Sequence, residues 1–133
     1  MAPEVCLRQL SARRAGAAGQ WRIRWQIDNP GADALSINSV RVPHGQFKAD
    51  EQSLVPPLVL PAGGIVEFIS HVHCDEPAGL VTENAFVIFH CQWRGKPWRI
   101  FIRIRVTVTD EGVPETAVEL VTTQQVGFSG ISN

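Results

Sequence analysis

Tyrosine is absent from the 133-residue chain and methionine occurs once. The first absence removes one common acid–base group, and the second argues against a methionine-rich copper site. Cysteine is scarce and odd in number, with Cys6, Cys74 and Cys91, so the spacing carries no disulfide framework and a reduced, cytoplasmic protein is the expectation. Long apolar runs are missing too. The N-terminal stretch holds no secretory h-region, and no segment approaches the ~20 apolar residues of a membrane-spanning helix. Nor does one sign of charge prevail. Twelve Lys and Arg against thirteen Asp and Glu leave a net charge of -1, which disfavours a nucleic-acid binder, because phosphate recognition draws on a basic surplus. Any basic surface must therefore be local. A GxSxG elbow, a Gly-rich phosphate loop and an HExxH pair are all lacking, so the chain is expected not to be an enzyme.

What the sequence does contain is alternation. In WRIFIRIRVTVT, residues 98–109, Trp98, Ile100, Ile102, Ile104, Val106 and Val108 share one parity. Arg99, Arg103, Arg105, Thr107 and Thr109 share the other, with Phe101 the apolar exception. Side chains on a strand change face with period 2, so this is a strand with one apolar and one arginine-rich face. WRIRWQID, residues 21–28, repeats the pattern without a fault: Trp21, Ile23, Trp25 and Ile27 against Arg22, Arg24, Gln26 and Asp28. Further strands are expected near residues 5–10, 35–42, 65–73, 85–93 and 117–126. In 35–42 the apolar parity changes between Ile37 and Val40, which predicts a bulge at Asn38-Ser39 or a crossing between sheets. Residues 43–64 hold Pro43, Pro56, Pro57 and Pro61 and read as a long connection with short edge pieces at 54–55 and 58–60. Arg94-Gly95-Lys96-Pro97 joins two of the strands as a hairpin turn.

Seven or eight strands separated by turn signals predict a single domain, 1–133, of all-β class, a sandwich or a barrel. The run Ile27-Asp28-Asn29-Pro30-Gly31, followed by Leu35-Ser36-Ile37, resembles the strand–turn–strand of bacterial immunoglobulin-like and fibronectin-III-like modules. That resemblance implies an antiparallel immunoglobulin-like β-sandwich of about seven to eight strands. The strands at 21–28 and 98–109 would be inner ones, and Trp21, Ile23, Trp25, Ile100, Ile102, Ile104 and Val106 would lie in the core. Cys91 would stand where such domains carry their second cysteine. The earlier strand offers Trp and Ile where its partner would be, so an intersheet disulfide is not expected. A scaffold of this kind hosts many unrelated functions.

Three groups of residues are candidates for a site. His71 and His73 stand at i and i+2 on a strand, facing one way, and His90 is the natural third ligand of a zinc or copper ion. The plainer reading is a solvated histidine pair near a strand end. If the two strands share a sheet, Arg22 and Arg24 on one and Arg99, Arg103 and Arg105 on the other would line one arginine-rich outer surface for an acidic partner, an anion or a nucleic-acid backbone. Against this, Glu67 or Glu119 could neutralise them across strands. His90 and Cys91 are consecutive and face opposite ways, which leaves a Cys–His pair without geometry. The third group is apolar. Phe86 and Ile88 on one parity, Val87 and Phe89 on the other, and Phe101 beyond them place apolar groups on both faces of two paired strands. A sheet packed on one core buries one face. The second face needs a cover, either the proline-rich connection or another chain. The leading expectation is a non-catalytic interaction module whose partner is another protein or a second copy of itself.

Overall fold

The computed structural model describes residues 1–127. These residues form eight strands and no helix: β1 (Cys6–Arg14), β2 (Gln20–Asp28), β3 (Leu35–His44), β4 (Phe47–Leu60), β5 (Ile65–His73), β6 (Val81–Trp93), β7 (Lys96–Val108) and β8 (Pro114–Gln125). All pairs are antiparallel, in the order β1-β2-β5-β4-β3-β6-β7-β8. The alternation decides which face is inside. Trp21, Ile23, Trp25 and Ile27 of β2 and Ile100, Ile102, Ile104, Val106 and Val108 of β7 are all buried, as are Ala85, Val87, Phe89, Cys91 and Trp93 of β6. Both expected inner strands have a neighbour on each side.

The immunoglobulin-like resemblance implied two separate sheets, whereas the ladders form one curled sheet that nearly closes into a barrel, the other outcome the strand pattern allowed. Two long-laddered walls, β1-β2-β5 and β4-β3-β6-β7-β8, are joined where Lys48 of β4 pairs with His73 of β5. On the far side the sheet's ends meet through side chains. Gln9 of β1 donates through Nε2 to the carbonyl of Pro114 (3.0 Å), while its Oε1 accepts from the amide (3.0 Å) and hydroxyl (2.8 Å) of Thr116. Arg14 adds a bond to the Glu111 carbonyl at 3.1 Å. Inside, Trp25 of β2 stacks on Phe68 of β5 with centroids 6.4 Å apart, and Phe68 meets Phe89 of β6 edge-on at 5.7 Å. The core thus passes from one wall to the other.

The irregular region departs most from expectation. Residues 47–60 form one strand rather than a connection, laddered to β3. The parity change at Asn38-Ser39 is a bulge: both ladders of β3 shift register between Ile37 and Ser39. On β4 the same shift is wider, because Ile37 pairs with Leu58 while Ser39 pairs with Ser53. Residues 54–57, with Pro56 and Pro57, lie in that interval. A proline has no amide for the ladder and fits where pairing is interrupted. β4 therefore extends the sheet beside β3 and does not fold across the outer face of β6 and β7. At the β6–β7 hairpin, Arg94 and Gly95 both take positive φ, 51° and 72°, as a two-residue turn matched to strand twist requires.

Asn29 ties two turns together. It is buried, and its side-chain Nδ2 donates to the carbonyls of Asp33 (2.8 Å) and Leu60 (3.2 Å) while Oδ1 accepts from the Gly31 amide (3.0 Å). Its backbone exchanges bonds with Gly63 and Gly64 at 2.8 and 2.9 Å. The β2–β3 turn is thereby fixed to the β4–β5 turn. Asn29→Ala should cost about 2–4 kcal/mol, since buried carbonyls lose their donor. Urea unfolding monitored by tryptophan fluorescence measures it, and a change below about 0.5 kcal/mol would show that the turns hold without this side chain.

Candidate functional site

The core uses the inward face of every strand, so a site must lie on the outer faces. The five arginines do not share one. Arg22 and Arg24 point outward from the β1-β2-β5 wall, and Arg99, Arg103 and Arg105 point outward from the β6-β7-β8 wall, with β5, β4, β3 and β6 between β2 and β7 in the sheet. The expected carboxylates take up part of each set. Arg24 meets Glu67 at 3.2 Å, and Glu119 receives Arg105 at 3.7 Å and Arg103 at 4.0 Å, with Glu83 4.0 Å from Arg105. All are at least partly exposed, so each pair contributes little to stability.

Nor do the three histidines converge. His71 and His73 do share the outer face of β5, but β4 and β3 intervene between them and His90 on β6. His73 Nδ1 lies 3.0 Å from Gln20 Nε2, and His71 stands opposite Arg22. Among the described residues, no group of three His, Cys, Asp or Glu side chains is placed to hold a metal ion. The alternation could put His71 and His73 on one face but could not say how many strands separate β5 from β6.

The cysteines are also kept apart from the histidines. Cys74 and Cys91 are buried and Cys6 is exposed, all as free thiols. Burial pushes the Cys91 thiol up to about 12. Burial likewise raises Cys74, reinforced by the carboxylates of Glu76 and Asp75. Since the thiolate is the nucleophile, neither buried cysteine is activated.

The outer face of β3, β6, β7 and β8 has a different character. Register places Arg41, Ile88, Phe101 and Thr122 in one cross-strand row. Phe86, Arg103 and Leu120 form a row on one side of it, and Ser39, His90, Arg99 and Gln124 a row on the other. Ile88 faces outward yet is only 9% exposed, whereas Leu120 is 47% exposed. Three polar atoms in these rows, His90 Nε2, Arg99 Nε and Arg103 Nε, are buried without a hydrogen-bond partner. Buried polar groups are nearly always satisfied. Phe86, Ile88 and Phe101 were legible from their parity. Leu120 was not, because β8 shifts register against β7 between Arg103 and Ile104.

Comparison with known proteins adds little. No family model and no curated protein matches the chain. A solved structure described as "X-ray structure of Northeast Structural Genomics Consortium target SoR45" aligns over 96% of this chain and 87% of its own, at 12% identity and a TM-score of 0.31. That geometric agreement is too low to carry an argument about fold or function.

His90 supplies a measurable signature of the face. Burial pushes its imidazole below the ordinary 6.5; the Arg99 charge pushes the same way, Glu51 opposes and Arg41 adds to the lowering. The unfolded chain therefore takes up a proton before the folded one does, so stability contributed above pH 6.5 is lost as pH falls through the depressed folded value. In His90→Gln this acid-side decline should become shallower in thermal unfolding between about pH 7.5 and 5, a range that brackets the ordinary histidine value of about 6.5. An identical decline in the variant would assign it to other groups.

Proposed function

We propose that the chain is a non-catalytic immunoglobulin-like interaction module of the cytoplasm, and that its partner, another protein or a second copy of itself, docks on the outer face of β3, β6, β7 and β8. The observation carrying this reading is the outward placement of Phe86, Ile88 and Phe101 in two adjacent cross-strand rows, the Phe86 row ending on Leu120, which is 47% exposed. An in-chain cover was the competing account of those rows. β4 lies in the sheet beside β3 instead of across the rows, which favours an added chain. Partner surfaces concentrate aromatic and arginine side chains around an apolar centre. Strands held by a common core present them with little ordering cost.

The immunoglobulin-like part of the reading draws support from strand order. In such sandwiches the first, second, fifth and fourth strands form one sheet and the third, sixth and seventh the other. Here β1-β2-β5-β4 is followed by β3-β6-β7. The departures are the long β3–β4 ladder, the added β8 and the lack of a disulfide. The cytoplasmic assignment draws on the three free thiols, one of them exposed.

Substitution on the face tests the proposal. With the chain immobilised in native extract, Phe101→Glu and Leu120→Glu should each weaken retention of the wild-type partner by at least about tenfold, or ~1.4 kcal/mol. Arg24→Glu, on the opposite wall, should leave it unchanged. Sedimentation equilibrium separates self-association from binding of a different protein. A wild-type chain that stays monomeric across its accessible concentrations and retains no protein would overturn the reading.

A further inference from the structure

The opposite wall carries a cationic row of a different kind. Arg13 of β1 pairs directly with Arg22 of β2, and Arg22 pairs directly with His71 of β5. In the next outward row, Ser11 pairs with Arg24 and Arg24 with Ile69. Opposed side chains in an antiparallel ladder stand about 5 Å apart at Cβ, and like charges there are destabilising. Both guanidinium groups remain charged at any ordinary pH. Among the described residues, neither Arg13 nor Arg22 has an ion-pair or side-chain hydrogen-bond partner. The bordering carboxylate, Glu67, is held by Arg24.

The row also surrounds a hollow. Ser11, Arg13, Arg22, Arg24 and Ile69 line a surface depression of about 210 Å³. Its lining holds the unpaired guanidinium groups of Arg13 and Arg22, the Glu67-paired Arg24, the Ser11 hydroxyl and the apolar side chain of Ile69. Guanidinium groups bind tetrahedral oxyanions through paired, charge-assisted N–H bonds. A dianion would satisfy donors that the protein leaves free and relieve the Arg13–Arg22 repulsion in one step.

We propose that this depression is an oxyanion site for a phosphate group, either inorganic phosphate or the phosphomonoester of a small molecule or lipid headgroup. It is separate from the docking face and does not depend on it. Sequence alternation pointed to Arg22 and Arg24 but not Arg13, which a register shift between Gln9 and Ser11 turns to the outer face.

The test uses the full chain, titrated with inorganic phosphate and, at matched ionic strength, with chloride. Phosphate should raise the unfolding midpoint beyond chloride, increasing with the logarithm of its concentration above the dissociation constant, and calorimetry should give one saturable site per chain. Arg13→Gln and Arg22→Gln should each weaken phosphate binding by about tenfold or more, and each should be more stable than wild type in chloride because a like-charge pair is removed. Lys96→Gln, an equal change of charge at the distant hairpin, should bind as wild type does. Phosphatidylcholine vesicles with and without a phosphoinositide distinguish the sources: retention that inorganic phosphate releases points to a lipid headgroup, and its absence alongside phosphate binding points to a soluble ligand. An equal response to phosphate and chloride, binding that survives both arginine variants, or vesicle retention that phosphate does not release would overturn the site.

Discussion

A sheet with an apolar inner face must cover that face, and this chain covers it by curling eight strands around a single core. The contact on which the curl depends is the Trp25–Phe68–Phe89 cluster, which joins β2 and β5 on one wall to β6 on the other. Aromatic pairs of this geometry add about 0.5–1.5 kcal/mol to what burial supplies. The cluster also tolerates a cost. Trp25 Nε1 and the neighbouring core hydroxyl of Ser70 are buried without partners, a burden on the order of 1–3 kcal/mol each. The seam opposite is held differently, by Gln9 bonding to Pro114 and Thr116 where no ladder joins β1 to β8. Packing closes the interior, and side-chain amide chemistry closes the rim.

Because the interior uses every inward row, the outer walls are free to differ. β6 and β7 spend outward positions on Phe86, Ile88 and Phe101, where solvated strands would carry polar groups. β1 and β2 spend theirs on arginines, including a directly opposed pair. Ile88 is buried and Phe86 and Phe101 are half-buried beside the exposed Leu120 on the first wall, and the second opposes like charges. The near-neutral charge of the chain conceals this division.

Strands whose alternation runs unbroken were legible with their bounds, strands with a single register shift were legible with shorter bounds, and β4 was not legible. Residues 21–28 and 65–73 appear with almost the expected bounds, and the seven named core residues are all buried. The bulge at Asn38-Ser39 left its mark as a parity change. β4 was concealed because its pairing jumps from Ser53 to Leu58 around two prolines, so no continuous period exists to read. Pairing partners lie beyond periodicity altogether. Alternation placed His71 with His73 and Arg22 with Arg24, but which strands stand side by side is a property of the closed sheet. That is why the histidines separate, the arginines divide between walls, and Arg13 joins Arg22 unannounced. The carboxylates Glu67 and Glu119 do meet arginines as cross-strand reasoning suggested.

The central claim is that the β3-β6-β7-β8 face is covered in the cell. Hydroxyl-radical footprinting of the dilute isolated chain against the same chain in native extract measures this residue by residue, without altering the surface. Oxidation of Phe86, Phe101 and Leu120 should fall in extract, while Val55 and Ile65, exposed elsewhere on the molecule, should label equally in both. Unchanged labelling of the three, or protection of Val55 and Ile65 in their place, would contradict the account.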